Sequence, residues 1–250
     1  STWGEVIMET MCAKTHDTCP LHGVHLDYQL AAAARKTPTD PIVTLLRDPV
    51  ERTLSEFFFI RSPEGSITPF MDQWDFQNLT FLRLVRDEAD DDKALDSFLH
   101  AWPEQPSFNR QVLYLAGFKR WGAALPFRWT GGEPQQREFL SVAKQHLDDV
   151  QAFGFTDCFV TSAAAMARVL GWDGAKVTQM AASTHRRAQR KAAAAAGLWR
   201  YRGKALALKA AGDHEFGGVW RSFVDSRAIE EIERLNWADV ELHRFARRQF

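Results

Sequence analysis

Apolar and polar positions change period most sharply between Pro41 and Arg61. Residues 42–46 are a short β-branched and apolar run that ends at Arg47, the pattern of a buried strand. Asp48 follows as an N-cap, Pro49 suits the first helical position, and Glu51 stands three residues past the cap to complete a capping box. Val50, Leu54, Phe57 and Phe58 then recur as one apolar stripe, with Arg52 and Ser55 on another face. A strand running into a capped helix sets Arg47 and Ser55 beside a helix N-terminus, where N–H groups and the dipole favour an anion such as phosphate.

Further along, residues 62–65 break the helical period, and residues 78–85 read as a helix. The acidic run Asp87, Glu88, Asp90, Asp91 and Asp92 lacks the ligand order and Gly of a calcium loop, so it reads as a solvated turn. Asn109, Arg110 and Gln111 open a helix whose start is expected at the surface. Phe139, Val142, Ala143, His146, Leu147 and Val150 follow helical spacing, which places His146 in a core stripe. Residues 153–156 read as a strand, with Asp157 as cap of a helix carrying Phe159, Met166 and Leu170. The tail predicts a helix with Ile229, Ile232 and Leu235, then Asn236 as a fresh cap before Val240, Leu242 and Phe245. These elements imply one α/β domain over residues 1–250, a small and mostly parallel sheet flanked by helices.

Charge changes this picture only locally. The 250 residues carry a formal net charge of −1, so no global basic field marks the chain as a nucleic-acid binder. Between Asp173 and Asp213 there is no carboxylate, while Arg186, Arg187, Arg190, Lys191, Arg200 and Arg202 accumulate. Such a stretch is a solvated face or an attractor of phosphates and sulfated polymers. Trp199, Tyr201 and Trp220 with their flanking arginines could stack on sugar rings or belong to the core. No apolar run is long enough to span a bilayer, and the first residues lack the layout of a signal peptide. Cys12 and Cys19 are close enough in sequence to be bridged in an oxidising lumen, Cys158 reads as a small buried hydrophobe, and Asn78-Leu79-Thr80 is an N-glycosylation sequon. His22 and His25 lie three apart in a Gly-containing segment without a third ligand cluster nearby. No metal site is expected; proton transfer is the other chemistry open to them.

The string LLRDPVERTLSEF resembles the 3'-phosphate-binding segment of glycosaminoglycan sulfotransferases, most closely the heparan sulfate 6-O-sulfotransferases, with the 2-O enzymes as cousins. The resemblance implies that Arg47 and Ser55 hold the 3'-phosphate of the donor, 3'-phosphoadenosine 5'-phosphosulfate. GVHLDY is similar to the family segment that carries the catalytic base, which points to His25. His22 matches the paired histidines of the 2-O branch, and the choice between the two stays open; Asp27 would orient the imidazole or face the acceptor. The Asn-Arg-Gln trio has a counterpart near the acceptor sugar, which implies substrate contacts for Asn109 and Arg110. Ser183-Thr184-His185-Arg186-Arg187 resembles the late donor-binding loop, with Ser183 and Arg186 as phosphate contacts and Arg187 in reserve. Ser1 and Thr2 look like the last residues of the loop that cradles the 5'-phosphosulfate, so the sequence is expected to begin inside that loop, after its lysine.

The resemblance therefore implies a P-loop-like sulfotransferase fold and sulfuryl transfer to a carbohydrate hydroxyl. It also implies a Golgi-lumen setting in a eukaryote, with any membrane anchor outside these residues, or else a cytoplasmic one. Two rivals stand beside it. A P-loop kinase or nucleotide hydrolase would need a Gly-Lys-Ser/Thr loop, which this sequence does not contain. A non-catalytic anion- or glycan-binding module would keep the fold without the chemistry.

Overall fold

The computed structural model describes residues 28–33, 35, 37, 39–61, 79–101, 107–117, 132–195, 200–201, 204–205 and 220–250. Their order is α1 (Tyr28–Ala33), β1 (Val43–Leu46), α2 (Pro49–Arg61), α3 (Leu79–Asp87), α4 (Asp91–His100), α5 (Arg110–Ala116) and α6 (Gly132–Asp149). There follow β2 (Ala152–Phe155), α7 (Phe159–Val169), α8 (Gly174–Ala195), β3 (Arg200–Tyr201), β4 (Lys204–Ala205), a 3-10 turn (Trp220–Phe223), α9 (Ser226–Leu235) and α10 (Trp237–Gln249). The described residues are thus mostly helical, with two small two-stranded sheets. β1 and β2 pair in parallel from Val43 opposite Ala152 to Leu46 opposite Phe155, an arrangement compatible with the expected α/β class. β3 and β4 form a separate antiparallel pair.

Burial follows the helical stripes. Val50, Leu54, Phe57 and Phe58 are all at or below 2% exposure, as their spacing predicts, and they pack on Phe81 of α3, Phe98 of α4 and Ile232 of α9. Fully burying an aromatic or leucine side chain contributes about 1.5–3 kcal/mol relative to leaving it in water, so this stripe is what fixes α2. Trp220 stacks on Phe58 with ring centroids 4.7 Å apart, which gives it a core role. A second cluster joins Leu46 and Phe155 at the strand ends to Leu113, Phe139, Leu147 and Leu242. A third holds α8 on α7 through Phe159, Ala163, Val177 and Ala181. His146 is a satisfied core histidine: Nδ1 lies 2.6 Å from the Leu115 carbonyl and the ring stacks on Tyr28.

One glycine sets the distance between α7 and the sheet. Ser162 Oγ accepts from the Phe155 N–H at 2.8 Å and donates to the Phe155 carbonyl at 3.0 Å, so α7 lies almost on the strand. A Cβ on Gly154 would come within 2.4 Å of the Ser162 Cβ. Only glycine permits that approach.

Three expected caps are rearranged. Asp48 caps α2 as predicted, its Oδ1 accepting from the Val50 and Glu51 N–H groups at 3.0 Å. Glu51 does not close the box; its buried carboxylate accepts instead from the Trp220 and Arg221 N–H groups and pins the 3-10 turn to α2. Asp157 makes no cap hydrogen bond to α7 because it pairs with Arg247. Asn236 stands at the cap position of α10, but the N–H groups of Ala238 and Asp239 go to the Asn109 side chain, which offers Oδ1 at 2.9 and 3.1 Å. In the acidic run, Asp90 caps α4 and Asp91 pairs with Arg61 at 2.7 Å, so part of that turn is structural. Among the described residues no helix is long and apolar enough to cross a membrane.

Candidate functional site

Because β1 and β2 run parallel, their carboxyl ends open on the same edge of the sheet, the place where open α/β sheets bind ligands. Arg47 and Asp48 leave one strand, and Thr156, Asp157 and Cys158 leave the other, joined by a 2.9 Å hydrogen bond from the Thr156 N–H to the Leu46 carbonyl. The Arg47 peptide is held from the far side by one side chain. Its N–H donates to Gln111 Oε1 at 2.8 Å, and Gln111 Nε2 donates to its carbonyl at 2.9 Å. The amide of Gln111 therefore acts as a one-residue extension of the sheet and fixes the direction in which Arg47 leaves it.

The Arg47 side chain is half-buried, and desolvation pulls its pKa down, against the opposing pull of Glu51. Among the described residues no hydrogen bond or ion pair reaches its guanidinium. Buried cations are ordinarily paired, so this one has capacity for an anion. The helix N-terminus beside it contributes less than the sequence suggests, because the Val50 and Glu51 N–H groups are already taken by Asp48. Ser55 is half-buried on α2 and its hydroxyl has no partner among the described residues; no contact joins it to Arg47.

Two arginines in ion pairs flank the strand ends. Arg221 Nη2 contacts both Asp48 oxygens at 3.1 Å, and its Nη1 reaches Glu233 at 3.3 Å. Across the mouth Arg247 binds Asp157, contacts Cys158 Sγ at 3.3 Å and lies 3.8 Å over the Phe155 ring. Between them sits His243, edge-on to Phe155 with centroids 5.2 Å apart. Its Nε2 is buried and has no hydrogen-bond partner among the described residues. Burial, reinforced by Arg247, pushes the imidazole pKa below its usual value, while Asp48 and Asp157 pull the other way.

The Asn-Arg-Gln segment turns inward. Asn109 is 3% exposed, with its amide Nδ2 on the Leu235 carbonyl and its own N–H on Asn236 Oδ1. Asp239 returns the favour across the same junction, accepting from the Gln111 and Val112 N–H groups at 3.2 and 2.8 Å. Arg110 pairs with Glu56 at 3.0 Å, and burial lowers its pKa to about 10. Arg52, which also pairs with Glu56, reaches the Ser107 carbonyl and Asn236. The side chains of Asn109 and Arg110 thus make contacts inside the fold, Asn109 capping α10 and Arg110 neutralising Glu56.

Ser183 lies on α8, where its Oγ donates to the Met180 carbonyl at 2.9 Å, and Arg186 is exposed on the same helix. α8 packs on α7, and no contact connects Ser183 or Arg186 to Arg47 among the described residues. The backbone of Arg187 belongs to α8. Ser1, Thr2, His22, His25, Asp27, Cys12, Cys19 and Asn78 lie outside the described residues, as does the side chain of Arg187. Sequence reasoning passed over Gln111, Arg221, His243 and Arg247. The last two could have been noticed as polar residues four apart beside the buried Leu242 and Ala246 of an amphipathic helix. No group of three metal-ligating side chains gathers among the described residues. Compared with known proteins, the chain matches no family model, no curated protein and no solved structure.

Proposed function

We propose that this chain is a sulfotransferase of P-loop-like fold that moves a sulfuryl group from 3'-phosphoadenosine 5'-phosphosulfate to a carbohydrate hydroxyl. The observation that carries the reading is Arg47, half-buried at the carboxyl end of a parallel strand with no hydrogen-bond or ion-pair partner for its guanidinium among the described residues. It stands in the segment whose sequence resembles the 3'-phosphate contact of that family. In this account Arg47 and Ser55 receive the 3'-phosphate, Arg186 adds positive charge from α8, and Ser183 adds a hydroxyl. His25, or His22, removes the proton of the acceptor hydroxyl while its oxygen bonds to sulfur in line with the departing phosphate oxygen. The S–O bond to the donor breaks, and 3'-phosphoadenosine 5'-phosphate leaves. In such a reaction the protein acts by positioning and by placing positive groups at the leaving phosphate.

Calorimetric titration of 3'-phosphoadenosine 5'-phosphate tests the donor site, with ATP as control. Saturable binding that prefers the 3'-phosphate and is lost in Arg47→Ala and Ser55→Ala supports the reading, and a transfer assay over glycan acceptors then tests the chemistry. Preference for ATP, or no binding, overturns it. Donor binding without transfer to any acceptor points to the anion- or glycan-binding module instead.

A further inference from the structure

We propose that α8 is a contact surface for the anionic face of a lipid bilayer, which it meets through a row of cationic and polar positions turned away from α7. The inference goes beyond the donor reading and does not depend on it.

The charge of the chain is segregated along its length. Of its 31 lysines and arginines, nine lie in residues 174–212, a stretch that holds none of the 32 acids, so a formal +9 there stands against −10 over the rest of the chain. Five of the nine, Lys176, Arg186, Arg187, Arg190 and Lys191, belong to α8. On other helices arginines are neutralised within about one turn, Arg52 by Glu56, Arg234 by Glu231 and Arg244 by Glu241. α8 contains no acid that could do the same. Asp173, just before it, accepts from the Lys176 N–H at 3.1 Å, and no ion pair reaches the side chain of Lys176 or Arg186 among the described residues.

Packing decides which way these charges face. Val177 and Ala181 are buried in one cluster with Phe159 and Ala163 of α7. Helical periodicity puts positions 176, 179, 183, 186 and 190 on the other side, where Lys176, Gln179 and Arg186 are exposed. Arg187 and Lys191 flank this row, which is about 21 Å long. β3 and β4 add Arg200, Tyr201 and Lys204 from the same acid-free stretch, and the chain between Ala195 and Arg200 keeps them within about 18 Å of the helix end.

Four to eight cations gathered on one helix and its flank are what anionic headgroups attract. In sequence Trp199 and Tyr201 are interleaved with them, residue types that settle at headgroup level. A row on the outside of a helix is convex, which suits a plane, whereas a small anion or a single polymer chain is better held in a cleft. The acidic remainder of the molecule is repelled by the same plane, so the chain approaches with α8 leading.

The test is sedimentation of the whole chain with vesicles of phosphatidylcholine, alone or with about 30% phosphatidylserine, in about 0.1 M and about 0.5 M salt. Binding is expected only to the anionic vesicles and only at the lower salt. Lys176→Gln, Arg190→Gln and Lys191→Gln combined should weaken it about 100-fold, at about fivefold per cation. Glutamine favours helix, and circular dichroism checks that α8 is kept; if helix content falls, Arg190→Gln alone is read, with about a fivefold loss expected. Arg83→Gln, Arg86→Gln and Lys93→Gln remove the same charge from exposed positions of α3 and α4 and should leave binding near the wild-type value. No binding to either vesicle, equal binding to both, or an equal loss in the two triple variants overturns the proposal. Binding to soluble dextran sulfate without binding to the anionic vesicles also overturns it and gives the row to a linear polyanion instead.

Discussion

Two buried polar clusters lie on either side of Asp48 and α2, and they are built to opposite rules. At the junction of α2, α5 and α10, Arg52, Glu56, Asn109, Arg110, Asn236 and Asp239 meet one another at hydrogen-bond or ion-pair distance, and two helix N-termini are capped there by residues from the opposite helix. At the strand ends, the half-buried Arg47 guanidinium and the buried His243 Nε2 have no partner among the described residues. The first pattern ties helices together through ion pairs and reciprocal caps; the second leaves the Arg47 guanidinium without a described counter-ion, which an anion can supply. Both clusters hold buried polar atoms without a hydrogen bond, Arg52 Nε, Glu56 Oε1 and Arg110 Nη2 in the first and His243 Nε2 in the second, and what separates them is that the junction arginines have carboxylate counter-ions whereas Arg47 has none among the described residues.

Breaking the ion-paired cluster should give the largest effect. Asp239→Ala leaves Arg52 without its fully buried neighbour and uncaps α5, so it should destabilise the chain by about 3–5 kcal/mol in urea unfolding. A loss under 1 kcal/mol would mean that the junction is not the structural side of the comparison. Arg47→Ala should do the reverse: stability stays within about 1 kcal/mol, because a half-buried charge with no partner among the described residues is removed, while affinity for 3'-phosphoadenosine 5'-phosphate falls about 10- to 100-fold. A large loss of stability in that variant would place Arg47 with the structural arginines. Gln111→Ala joins the two clusters, since it removes both hydrogen bonds to the Arg47 peptide; about 1–2 kcal/mol of stability should go, together with part of the anion affinity.

The smallest effects are in pH dependence, where two histidines oppose each other. His100, exposed and bound to Glu231 and Asp96, has a raised pKa chiefly from its Glu231 hydrogen bond. Its contribution is full below the unfolded value near 6.5 and is lost as pH rises through the raised folded value. His243 has a lowered pKa from burial, so the unfolded chain gains its proton first and stability falls as pH drops below about 6.5. Thermal unfolding across pH 5–8 should therefore find His100→Gln more acid-sensitive than the wild type and His243→Gln less. The same slope in all three proteins would remove this contrast.

What could be read from sequence was what is local. The Asp48-Pro49 start, the α2 stripe, the strand before Asp157 and the long helix through His146 each depend on neighbours within a few residues, and all four appear. Glu51, Asp157 and Asn236 were also read by local rules, and there the rule lost. Each found a partner far along the chain, Glu51 on Trp220 and Arg221, Asp157 on Arg247, and Asn236 on Asn109 and Arg52. Half of the candidate site fails to show in the sequence for the same reason. Arg47 announces itself at a strand end, whereas Gln111, His243 and Arg247 acquire meaning only once α5 and α10 are packed against that strand. The inward turn of Asn109 and Arg110 is equally invisible, since a polar trio before an apolar run looks the same whether it faces water or another helix.

The reciprocal capping of α5 and α10 has a consequence for the order in which the molecule assembles. Asp239 meets Val112 across 127 residues, and Asn109 meets Ala238 across 129, so neither helix start is satisfied until a long loop has closed. Closure over such distances is slow and comes late in folding. The helix that closes it also delivers His243 and Arg247 to the strand ends. A partly folded chain with α10 undocked would lose its junction and its anion seat in one step, and amide hydrogens of α5 and α10 should exchange with solvent as a single cooperative unit.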